Sequence, residues 1–145
     1  MLTLERISPW LTRCVLLFAA FLFSMIGRKY ISDPVAAVRD SGMVLSTPMA
    51  LTTARASFGA FSLACGTVVL ACLISGRRNR LGLWFVVIVI GIVLAVRLYG
   101  IVEDGTFREN QRVLTAETVL LSITVIALLI GRAVSRSAER AGARP

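Results

Sequence analysis

Three ionisable side chains, Arg55, Arg97 and Glu117, stand inside stretches that are otherwise apolar. A carboxylate beside a guanidinium in a low-dielectric setting offers three kinds of chemistry. The two can form a structural ion pair, a surplus cation can hold an anion, or the acid can move a proton. A charge at mid-bilayer costs ~2.5–3.5 kcal/mol even on lenient insertion scales, so each needs a partner or a route to the surface. The group carries two positive charges against one negative, which leaves one arginine for a lipid phosphate or a carboxylate. Asp104 is the fourth candidate: it follows Arg97 by seven residues on the same helix face. Turned inward, it would neutralise the cluster and remove the surplus.

Other chemistries lack their residues. The chain has no histidine, which disfavours haem, zinc and copper sites, so neither a cofactor nor a metal is expected. Its three cysteines, Cys14, Cys65 and Cys72, lie in apolar runs without a CxxC pair. They read as small apolar residues rather than as a disulfide framework. No Ser/His/Asp or Cys/His arrangement is available, and no residue is assigned a catalytic role.

These side chains must be placed by four helices. Apolar residues make up 57% of the 145-residue chain, charged residues only 17%, and mean hydropathy is +0.81. Soluble domains carry about 25% charged residues, so an aqueous core explains this composition poorly. Four apolar runs near the ~20 residues that cross a bilayer explain it better. The spacing predicts spans over about 10–27, 49–75, 81–102 and 113–134. The fold class is therefore all-α, a polytopic membrane four-helix bundle forming one domain over 1–134. A flexible, basic tail over 135–145 follows. A short amphipathic lead precedes the first span, and Pro9 suits a first helical turn. A secretory signal peptide is the weaker reading, because no small-x-small cleavage site follows and Arg28-Lys29 would sit awkwardly there. Between the first two spans, Ser32-Asp33-Pro34 begins a capped helical turn or two that Gly42 stops, lying on the membrane surface.

The net charge of +8 invites a nucleic-acid reading. The arginines instead cluster at span ends, without an aromatic stacking surface, so no nucleic acid is expected. Nine basic residues fall on one side: Arg6, Arg13, Arg77, Arg78, Arg80, Arg132, Arg136, Arg140 and Arg144. The other holds five, Arg28, Lys29, Arg39, Arg108 and Arg112, with Asp33, Asp40, Glu103, Asp104 and Glu109. The richer side should be cytoplasmic, with both termini inside. Arg55, Arg97 and Glu117 then share one depth, roughly 7–10 Å below the outer boundary at 1.5 Å per residue. Gly59, Ser62 and Gly66 follow Arg55 at offsets of four, seven and eleven. Small residues on one face let a neighbouring helix approach, and they favour an inward position for Arg55. Thr124 stands seven after Glu117.

At these residues the chain resembles a family of small bacterial membrane proteins, the domain of unknown function 4345 family. The resemblance rests on Arg55-Ala56-Ser57-Phe58-Gly59 with Gly66, Arg97-Leu98 with Asp104-Gly105, Glu117, and the preceding Asp33-Pro34. It covers roughly 21–133 and implies the four-helix architecture, a residue pattern and a bacterial inner membrane, but no activity. Ala60 departs from it, where such proteins often carry a second glycine. The absence of a catalytic constellation favours a non-enzymatic bundle in the lipid bilayer. Such a bundle binds a lipid-like or anionic ligand, or serves as an accessory subunit beside a membrane partner or a second copy. The alternatives are an enzyme acting on a lipid with Glu117 as acid or base, and a small oligomeric transporter coupling protons through Glu117.

Overall fold

A computed structural model describes residues 2–39 and 42–142, with side chains over 8–39 and 42–137. Arg6, Asp40, Arg140 and Arg144 of the charge count lie outside the described side chains. The helices are α1 (Leu2–Ser32), α2 (Pro34–Arg39), α3 (Pro48–Ala54), α4 (Phe61–Ser75), α5 (Asn79–Asp104) and α6 (Phe107–Gly142). A π-helical segment, Arg55–Ala60, joins α3 to α4 without a break.

Four of these stretches are long and apolar enough to cross a membrane: Ser8–Ser32, Pro48–Ser75, Asn79–Asp104 and Phe107–Ser137. They outrun the expected spans because polar flanking residues continue each helix. At the start, the amphipathic lead is itself helical, so Pro9 falls inside α1 rather than opening a helix. At the far end α6 continues through 135 to Gly142, where a tail was expected.

Local chemistry sets the ends. Ala36 N–H donates to Asp33 Oδ1 at 3.0 Å, capping α2. Ala50 N–H donates to the N-cap hydroxyl of Thr47 at 3.1 Å, with Pro48 at the start of α3. Gly105, at φ 66°, ends α5 with its N–H on Ile101 O. Few other residues adopt that left-handed geometry without strain.

The topology is up-down-up-down. α1 packs against α4, α5, α6 and the π segment, and α5 closes the bundle against α4 and α6. Core residues come from all four spans: Leu16 and Ala19, Val69, Val86 and Ile90, and Ala127 and Leu128. That core lies toward the end of the bundle carrying the Arg77–Arg80 turn, here termed the basic end. At the opposite end α5 makes no substantial contact with α3 or the π segment, and beyond Ile90 only Ile101 of α5 is buried. The bundle is tight at one end and splayed at the other. Large apolar side chains such as Trp10, Phe21, Ile74, Val96 and Val102 point outward, as helices facing lipid require.

Backbones approach most closely between α1 and the second span. A Cβ on Gly27 would lie 2.8 Å from Gly59 O and 2.9 Å from Leu63 N. One on Gly66 would meet Ser24 Oγ at 2.8 Å. Gly59 and Gly66 lie at this contact with α1, while Ser62 is only half-buried. Gly27 supplies the matching surface, a small-on-small contact that lipid-embedded helices use in place of a hydrophobic drive.

Gly27→Ala forces backbone apart and should cost about 1–3 kcal/mol, the usual range for overpacking. Gly91→Ala, whose Cβ meets nothing within 4 Å, should be neutral or stabilise by up to ~1 kcal/mol through helix propensity. Denaturation followed by circular dichroism in mild detergent would rank them; equal midpoints would contradict the contact.

Candidate functional site

Two of the four candidate residues meet. Arg97 on α5 donates through Nε to Glu117 Oε2 and through Nη2 to Oε1, each at 2.8 Å. This two-pronged fork is the geometry in which guanidinium and carboxylate planes match best. Nη1 donates to Asn110 Oδ1 at 3.0 Å. The Asn110 amide in turn donates to the carbonyl and hydroxyl of Thr106, both at 3.1 Å. Asn110 precedes Glu117 by seven residues, two turns along the same face of α6. One arginine therefore grips the neighbouring helix at two points two turns apart, and every guanidinium nitrogen has an acceptor.

The pair sits in the splayed half, yet its side chains are only 27% and 15% exposed. It is the one ion pair among the described residues. Burial without the fork would leave both charges stranded, so the extra acceptors from Asn110 matter.

Arg55 stands apart. It was expected to face inward; it is exposed, and its Nε donates to Ile31 O at 3.3 Å. The physical reason is its level in the bundle: α1 ends at Ser32, one residue beyond the carbonyl that Arg55 reaches. Gly59 packs on the same Ile31, so Arg55 stays on the side of its helix that meets α1 but lies at the edge of that contact. There it bonds a carbonyl in the last turn of α1, where a cation suits the helix dipole. No carboxylate pairs with it among the described residues.

Asp104 also stays outside the cluster, exposed at the end of α5. Neutralisation comes from Glu117 alone, which leaves the surplus positive charge on Arg55. Thr124 is fully buried, and its hydroxyl donates to Leu120 O at 2.7 Å within α6. It therefore offers nothing to a ligand.

Sequence reasoning did not single out Asn110, Thr106, Tyr30 or Phe58. The Tyr30 ring lies 5.2 Å from that of Phe58 on the π segment. The last turn of α1 thus meets Phe58 through Tyr30 and Arg55 through Ile31. The signal for Asn110 was present in its spacing from Glu117. Tyr30 carries no such mark, because its neighbours come from other helices.

Four membrane-length helices in an up-and-down bundle, with one charge-paired layer, define a multi-pass membrane protein. The chain belongs to the family described as Domain of unknown function (DUF4345), whose model matches residues 11–129. No curated protein and no solved structure matches the chain. The matched stretch contains Arg55, Arg97, Asp104 and Glu117.

Removing either partner of the fork leaves a charge without its counter-charge. Arg97→Leu and Glu117→Leu should each cost about 1–3 kcal/mol, between the surface and buried limits for ion pairs. The Arg97→Leu/Glu117→Leu double variant should recover at least half of that loss. A double-mutant cycle in detergent measures it, and strictly additive losses would show that the pair is not coupled.

Proposed function

We propose that the protein is a non-enzymatic membrane module that holds an anionic amphiphile at the splayed end of its bundle, with Arg55 contacting the headgroup. The observation that carries this reading is the division of charge. Arg97 and Glu117 satisfy one another, while Arg55 is exposed and spends only its Nε on a carbonyl. A guanidinium with free terminal N–H groups matches phosphate or carboxylate oxygens in pairs. Tyr30 and Phe58 supply aromatic surface beside it, suited to the boundary between acyl chains and headgroups.

The same geometry weighs against the alternatives. An acid whose two oxygens both accept from one arginine has both oxygens engaged and directed away from any substrate. That argues against Glu117 as an acid, a base or a proton-coupling site. The arginine distribution supports an orientation with both termini in the cytoplasm. The family resemblance supports a bacterial inner membrane as the host. The outward apolar side chains suit lipid, a membrane partner or a second copy.

Photo-crosslinking tests the reading. A phosphatidylglycerol carrying a headgroup-proximal diazirine, in nanodiscs, should label peptides covering 27–35 and 52–61. Arg55→Gln should lower that labelling about fivefold or more, as expected for loss of a charge-assisted contact. Glu117→Gln should leave it unchanged. Labelling indifferent to Arg55→Gln would defeat the proposal.

A further inference from the structure

At the basic end the chain turns through Gly76-Arg77-Arg78-Asn79-Arg80 between α4 and α5. The turn closes over a cleft of about 260 Å³ between α1, α5 and α6. Arg77 and Arg80 line it from the turn, and Arg132 lines it from α6. No described acidic side chain lines it. Three like charges around one concavity repel one another, an arrangement that an anion relieves.

Three further observations concern the wall of this cleft. Arg132 is held with its guanidinium carbon 5.0 Å from the centre of the Trp84 ring, a stacking contact that orients the fork instead of leaving it free in solvent. The first turn of α5 opens here, and Arg78, its N-cap residue, gives it no side-chain cap. Its leading N–H groups and the positive end of its dipole are therefore available. Asn79 lines the cleft with a buried Oδ1 that has no hydrogen-bond partner. A half-turn of the amide exchanges its oxygen for NH₂ and presents a donor at that point.

We infer that this cleft is a phosphate-binding site, taking the phosphate of a lipid headgroup or of a free phosphate. Arg77, Arg80 and Arg132 supply charge-assisted donors, and Asn79 with the α5 N-terminus completes the set. The volume lies below the range of about 300–1,000 Å³ typical of drug-sized ligands, a size for a headgroup rather than a large substrate. The site is separate from Arg55: it lies at the other end of the bundle and shares no residue with the proposed amphiphile contact.

Trp84 reports on the cleft through Arg132, and Trp10→Phe leaves it as the sole tryptophan. Trp84 emission would be titrated in a neutral maltoside detergent with inorganic phosphate and, separately, with a short-chain phosphatidic acid. Ionic strength is matched with chloride. A saturable change is expected. The Arg77→Gln/Arg80→Gln variant, altered at two exposed positions, should weaken it at least about tenfold. Asn79→Asp places a carboxylate in the cleft yet suits a first helical turn, so it should abolish binding while circular dichroism stays unchanged. Response to both probes, to the lipid alone or to inorganic phosphate alone supports the site and assigns its source. The inference is overturned by no saturable response to either probe, by equal affinity in both variants, or by the same response to chloride.

Discussion

Hydrocarbon leaves a charged side chain two choices, a counter-charge within the protein or an escape to the headgroups, and this fold uses both. The Arg97–Glu117 fork takes the first. It joins α5 to α6 in the half of the bundle where α5 has left the second span and the apolar core has ended. Without it, two long antiparallel helices would be held there by thin contact and the turn at Gly105. Asn110 and Thr106 extend the grip along α6. The polar layer is thus a clasp between α5 and α6 in the half of the bundle that the apolar core does not reach.

A second constraint acts on the other side of the bundle. Gly27, Gly59 and Gly66 bring α1 and the second span so close that backbone nearly touches backbone. Holding both Gly59 and Gly66 on α1 is geometrically compatible with an unbroken α-helix, so those glycines do not require the π segment. Arg55, at the first residue of that segment, meets the same Ile31 that Gly59 packs against, but at the point where α1 ends. Such insertions concentrate at functional positions in other helices, and here the segment begins at the exposed cation.

Much of this was legible in the sequence, and the failures share a cause. Apolar run length identified four helices, and Asp33-Pro34 with Gly42 marked the short helix between the first two. Gly59 and Gly66 stand out by their spacing, and both lie against α1. Arg97 and Glu117 stand out as charges in need of a partner, and the fork joins them. What spacing missed depends on contact between distant segments. Register with Gly59 and Gly66 gives Arg55 a face but not the level at which α1 ends beside it, so an inward Arg55 did not follow. Asp104 was placed correctly on its helix, but seven residues from Arg97 carried it past the end of the clasp. Gly27 and Tyr30 acquire meaning only once α1 is laid against the second span.

The two ends of the bundle therefore treat positive charge in opposite ways. At the splayed end the two arginines within the spans act singly: Arg97 is neutralised by Glu117, and Arg55 bonds a carbonyl at the end of α1. At the basic end the helices are packed, no carboxylate lines the cleft among the described residues, and Arg77, Arg80 and Arg132 converge on the uncapped start of α5. Tight packing explains why that convergence persists. Leu83, Ala127 and Leu128 belong to the core and also line the cleft, so the walls cannot spread to relieve repulsion without exposing apolar surface. Repulsion held in place by a rigid core is a standing preference for an anion. The proposed orientation, with the basic end in the cytoplasm, and the proposed phosphate site would then both draw on the same arginines.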